Sequence, residues 1–177
     1  MLHGSGVAGS DRLGNQVHPH NAFSRFQADE VEQSIPSRFE QMVVKYPDRL
    51  AAKDRNQELS YLELNRAADS VACAILKQSE SVGEPVAILL DQGIQAIVAI
   101  LGVLKAGRPY VFLDPALSSD RNDFILTDST ARLVLSDNSN ITGSHPGLNA
   151  IRMEDCRGTF PCAAERPSVS PDAPACL

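Results

Sequence analysis

Asp91 and Asp114 each stand directly after an apolar run, at the edge where parallel α/β sheets place their ligands. A carboxylate at such an edge could accept a phosphoryl group. The plainer reading is an aspartate that ends a strand, and Pro115 directly after Asp114 favours it. Gly4-Ser5-Gly6-Val7-Ala8-Gly9 spells the glycine pattern of a dinucleotide-binding turn. That turn needs a strand before it and a helix after it, and here only three residues precede it and a polar segment follows. His18-Pro19-His20 offers two imidazoles but no third ligand nearby. Cys73, Cys156, Cys162 and Cys176 form no C-x-x-C pair and lack matching histidines, so they read as free thiols rather than a zinc site. No nucleophile elbow, paired catalytic carboxylates or G-x-x-x-x-G-K loop is present. The motifs therefore assign no catalytic, cofactor-binding or metal residue.

The elements that would position such groups alternate between helical and extended patterns. Phe39, Met42, Val43 and Tyr46 share a helical face, and Pro47 ends that helix. Residues 50–53 and 58–60 flank the polar turn Asp54-Arg55-Asn56-Gln57 and predict a small hairpin. Ser60 with Glu63 three residues later is a capping box, and Leu59 can staple onto Leu64 across it. The helix it starts buries Ala67, Ala68, Val71 and Ile75. Three extended runs follow, at 85–90, 110–113 and 132–136. The first leads into a helix through Ile94, Ile97, Val98, Leu101 and Leu104, ended by Lys105 and Gly107. Ser119 is placed to cap the next, through Phe124, Ile125 and Asp128. Strand, helix, strand, helix, strand with short links predicts a parallel sheet, so the fold class is α/β.

The chain divides into a flexible Gly-rich leader (1–33), a periodic core (34–137) and a Pro-rich segment (138–177) with a strand candidate at 150–153. An apolar fraction of 43% and a charged fraction of 21% are those of a soluble globular protein. A net charge of −6 leaves no electrostatic footprint for nucleic acid or an anionic membrane. The first twenty residues hold no apolar signal core, and the apolar run around Ile94 and Leu104 is too short to span a bilayer. A cytoplasmic setting is expected.

Two segments together resemble a known family. Leu59-Ser60-Tyr61-Leu62-Glu63-Leu64 resembles the first core motif, L-[ST]-Y-x-E-L, of nonribosomal peptide synthetase adenylation domains. Leu104-Lys105-Ala106-Gly107-Arg108-Pro109-Tyr110-Val111-Phe112-Leu113-Asp114-Pro115 resembles their second, L-K-A-G-x-A-Y-V-P-[IL]-D-P. Flanking Phe39-Glu40, Pro47-Asp48, Arg121, Asp128 and the run at 131–137 agree, so the likeness spans roughly 35–137. Pro109 and Phe112 depart from the pattern in scaffold positions, which loosens the choice between the synthetase subgroup and acyl-CoA ligases.

The resemblance implies an ATP- and Mg²⁺-dependent enzyme that adenylates a carboxylic acid, an amino acid by preference, and hands it to a phosphopantetheine carrier domain. It also implies that the chemistry lies in later motifs: a Ser/Thr/Gly-rich loop ending in P-K-G, nucleotide and magnesium motifs, and a lysine of a C-terminal subdomain. Residues 170–177 resemble the approach to that loop, so no family catalytic or binding residue is carried over and the 177-residue piece is expected to be inactive alone. Two alternatives stand beside this one. A non-catalytic remnant would use the truncated scaffold to bind a partner. A stand-alone flavodoxin-like or receiver-like module would use Asp114, but a receiver also needs an acidic pair after its first strand and a hydroxyl and a lysine at later strand ends, and these are not evident.

Overall fold

The computed structural model describes residues 27–78, 83–137, 147–158 and 167–177. Helix α1 (Ile35–Lys45) precedes a hairpin of β1 (Leu50–Lys53) and β2 (Glu58–Ser60), and β2 runs straight into α2 (Tyr61–Gln78). Then come β3 (Val86–Leu89), α3 (Ile94–Lys105), β4 (Tyr110–Leu113), α4 (Ser119–Ser129), β5 (Leu133–Ser136) and β6 (Asn149–Arg152). The last four strands form one sheet in the order β4-β3-β5-β6, with every neighbouring pair parallel. The expected α/β fold with a parallel sheet and a separate hairpin is the one observed.

Alternation along the strands divides the interior between two faces. Val86 and Ile88 of β3, Leu133 and Leu135 of β5 and Ile151 of β6 join α2 and α3 in the larger core. Ala87, Val111, Leu113 and Val134 point the other way and meet Leu126 of α4. Both faces are covered, so these strands read as continuous apolar runs. α2 and α3 approach closely at Gly102, where an added Cβ would lie 2.6 Å from Val71 Cβ and 3.0 Å from the Ala68 carbonyl oxygen. Among the described residues, no helix is long and apolar enough to cross a membrane.

Local chemistry fixes the ends of the elements. Ser60 N–H donates to Glu63 Oε2 at 2.8 Å, and Glu63 N–H donates to Ser60 Oγ at 3.3 Å. This is the reciprocal cap expected from the sequence, and Leu59 and Leu64 both pack into the larger core beneath it. At the far end of α3, Gly107 N–H donates to the Leu104 carbonyl (3.0 Å) and Arg108 N–H to the Val103 carbonyl (3.2 Å). That pair of bonds is a Schellman ending, and it puts Gly107 at φ +72°. A side chain there would also meet Pro167 Cγ at 2.8 Å, so glycine is required twice over.

Some boundaries differ from expectation. α4 begins at Ser119 itself, with Ser118 in the N-cap position and no side-chain cap. Phe124 of that helix is 61% exposed and contributes nothing to the core. The strand candidate at 150–153 is β6, one residue earlier. Residues 175–177 lie along β4: Tyr110 N–H donates to the Ala175 carbonyl and Leu177 N–H to the Tyr110 carbonyl, at 2.9 and 3.0 Å. Cys176 thereby forms a parallel bridge with Tyr110. The glycine pattern at Gly4, Gly6 and Gly9 and the pair His18 and His20 lie outside the described residues.

Candidate functional site

The sheet order contains a reversal. From β3 the chain moves outward to β4, then returns past β3 to β5 on its other side. Between such strands the connections diverge and a crevice opens over the carboxyl ends, which is where open α/β sheets bind ligands. A cleft of about 300 Å³ occupies that position, bordered by Leu89, Asp91, Asn122, Ser136 and Asp137. A second, of about 350 Å³, lies over β3 and β4 between Asp91, Gln92, Ala96, Phe112 and Asp114.

Asp91 and Asp114 are thus brought to one edge, as the sequence predicts, and both are exposed. Asp114 is committed to its own turn: Oδ1 accepts from Ala116 N–H at 2.8 Å, and its carbonyl accepts from Leu117 N–H (3.1 Å) and Asn122 Nδ2 (3.0 Å). That is the geometry of an aspartate ending a strand, the reading preferred from Pro115. Asn122, which ties α4 to this turn, carries no sequence signal beyond its place in the first turn of the helix. The described residues of the edge present carboxylates, amides and the Ser136 hydroxyl.

Sequence reasoning missed a largely enclosed polar cluster. Lys105 ends α3 among apolar residues, and its Nζ donates to Asn65 Oδ1 (2.8 Å), Asp69 Oδ1 (2.8 Å) and Glu40 Oε1. Asn65 Nδ2 in turn donates to Asp69 Oδ2 at 3.1 Å. One ammonium therefore joins α1, α2 and α3. The only hint in the sequence is a charge at Asp69 on the α2 face that also carries Ala68 and Ala72. The cluster also links the two motifs physically, because Lys105 belongs to the second and Asn65 directly follows the first. Elsewhere, Cys73 is buried between alanines of α2. Cys156 is buried after β6, and burial, with Asp155 adding, pushes its thiol up to about 11. Among the described residues Cys73, Cys156 and Cys176 form no disulfide; Cys162 lies outside the described residues.

The family model for AMP-binding enzymes matches residues 39–171. The chain belongs to the AMP-binding enzyme family. Among curated relatives of this AMP-binding chain, tyrocidine synthase 1 of Brevibacillus parabrevis is 40% identical over 106 residues, covering 60% of this chain and 10% of the relative. Malpibaldin synthetase of Mortierella alpina is 35% identical over 131 residues, covering 74% and 2%. The chain thus spans a tenth or less of the length of these relatives. Among solved structures, the nonribosomal peptide synthetase FmoA3 matches with a TM-score of 0.72 at 25% identity, over 81% of this chain and 16% of that one. The Klebsiella oxytoca NpsA N-terminal subdomain matches with a TM-score of 0.68 at 22% identity, over 81% and 37%, a likeness of fold alone. The chain corresponds to the N-terminal part of the adenylation-domain fold.

ATP and Mg²⁺, which the family implies, can be tested against the residues at hand. A polyphosphate needs convergent N–H donors or cations. The described residues bordering the two edge clefts include Asp91, Asp114 and Asp137 but no Lys, Arg or His. Among the described residues no group of three or more His, Cys, Asp or Glu converges on a metal position. These residues do not fit a magnesium-nucleotide site, and no step of adenylation is assigned to them.

Proposed function

We propose that this chain works as the N-terminal scaffold of an ATP-dependent enzyme that adenylates a carboxylic acid, an amino acid in the nonribosomal peptide synthetase branch. In that reading the acid is joined to AMP with release of pyrophosphate and then transferred to the phosphopantetheine thiol of a carrier domain. The family match over residues 39–171 carries the reading. The relatives named as peptide synthetases agree with it, and so does a structural neighbour, PA1221, described as containing adenylation and PCP domains. A cytoplasmic setting is part of the same reading, and the described cysteines, which form no disulfide with one another, agree with it. The scaffold's contribution is positional: the Lys105 cluster holds α1, α2 and α3 in register, and residues 175–177 are aligned along β4.

The test is a chimera. This chain replaces the corresponding N-terminal segment of the tyrocidine synthase 1 adenylation domain, and amino-acid-dependent ATP–pyrophosphate exchange is measured. The expected result is exchange well above that of the host lacking the segment, with the host's substrate preference retained. A soluble chimera with no exchange would remove the reading. The chain by itself is expected to show no exchange.

A further inference from the structure

Between the hairpin, α2, α3 and the short turn Met153–Cys156 after β6 lies a cleft of about 410 Å³. Its size falls within the roughly 300–1,000 Å³ of small-molecule sites. Four elements supply an apolar floor: Leu59 from β2, Val71 from α2, Val98 from α3 and Met153 from the turn. Two polar side chains of the lining are spent on backbone. Ser70 Oγ donates to the Arg66 carbonyl at 3.1 Å, and Cys156 Sγ to the Arg152 carbonyl at 3.6 Å.

The charge at the rim is of one sign. Arg66 of α2 and Arg157 after the turn both border the cleft, and its described lining holds no carboxylate. Both arginines are exposed, and among the described residues neither guanidinium makes an ion pair. Arg38, Lys53, Lys105 and Arg152, by contrast, each hold a carboxylate. Glu63, one turn before Arg66, is within electrostatic reach of it, but Glu63 Oε2 is taken by Ser60 N–H. Two uncommitted cations over an apolar floor run against the field of a chain whose net charge is −6.

We propose that this cleft binds a small amphiphilic anion, a carboxylate with an aliphatic or aromatic body. Arg66 and Arg157 hold the head group, and the floor of Leu59, Val71, Val98 and Met153 covers the body. Guanidinium and carboxylate match fork to fork, while the body gains by leaving water. The cleft shares no described lining residue with the two clefts at the carboxyl edge, so the proposal does not depend on the adenylation reading.

The experiment titrates the full chain with octanoate and follows the backbone amides by NMR, with octanol and octylamine as controls of equal body. Octanoate should give saturable shifts at the Gln57, Ser70, Gln95 and Gly158 amides. Octanol should bind there at least tenfold more weakly, and octylamine not at all. Arg66→Gln with Arg157→Gln should bring octanoate down to the level of octanol and leave the thermal midpoint of the free chain unchanged. No saturable shift at these amides, equal affinity for octanoate and octanol, or octanoate binding that survives the double variant would each overturn the proposal. An acidic amphipathic peptide that shifts the same amides where octanoate does not would overturn it too, making the cleft a protein-docking surface.

Discussion

Lys105 Nζ and Asp69 Oδ1 stand 2.8 Å apart with side chains only 1% and 5% exposed, so an ion pair ties α3 to α2 inside the molecule. Enclosed pairs of this kind are worth little net against an apolar substitute, but breaking one alone is costly because the partner charge stays behind. Lys105→Met should therefore destabilise the chain by about 3 kcal/mol or more in urea unfolding. Lys105→Met combined with Asp69→Leu should recover most of that loss. Equal losses in the single and double variants would show that the pair acts as bulk rather than as charge.

Gly102 lies where α2 and α3 approach closely. Alanine would ordinarily favour a helix interior over glycine by about 1 kcal/mol. Here its Cβ would lie 2.6 Å from Val71 Cβ and 3.0 Å from the Ala68 carbonyl oxygen, and the second neighbour is backbone that cannot rotate away. Gly102→Ala should therefore lower stability by about 1–3 kcal/mol, the usual range for overpacking. Val71→Ala in the same chain should relieve part of it. The denaturant midpoint of the two variants is the measurement, and a stabilised Gly102→Ala would show that the helices can separate cheaply.

Two carboxylates at helix starts link stability to acid. Hydrogen bonds from Asn56 N–H first and Ile94 N–H second hold Asp54 below the ordinary aspartate range. The Ser60 N–H bond does the same for Glu63. Both folded-state pKa values are depressed, so the unfolded chain binds more protons in the acid window. The contribution is then complete above the unfolded carboxylate values of about 4 and is lost as pH falls through the lower folded values. Urea midpoints should be flat on this account above about pH 5 and fall below about pH 4. The fall should be shallower in Asp54→Asn, and the same acid slope in both proteins would contradict the assignment.

The parts of the fold legible in sequence are those decided by neighbours in the chain. The hairpin strands Leu50–Lys53 and Glu58–Ser60 fall where expected because Asp54-Arg55-Asn56-Gln57 is turn chemistry. The start of α2 and the end of α3 fall where a capping box and a glycine place them. What was hidden depends on residues far apart. Lys105 reads locally as a helix-ending cation, and nothing in its surroundings announces Glu40, 65 positions earlier. Asp54 reads as a turn residue and also caps a helix beginning at Ile94. Strand order is equally invisible, because four apolar runs of similar length do not say which lies beside which. At the candidate site, the strand-end positions of Asp91 and Asp114 were legible, whereas the crevice between β3 and β5 needed the order of the sheet.

The two faces of the sheet are unequally guarded. One is roofed by α2 and α3, clasped through Gly102 and Lys105, while α4 over the other buries only Leu126 fully and leaves Phe124 in solvent. Among the described residues α4 has the smaller buried face, so its amides are expected to exchange faster than those of α2 and α3. Equal protection in the three helices would contradict this. Substitutions on α4 should therefore register chiefly as local breathing near the carboxyl edge of β4, and those beneath α2 and α3 as loss of the whole fold.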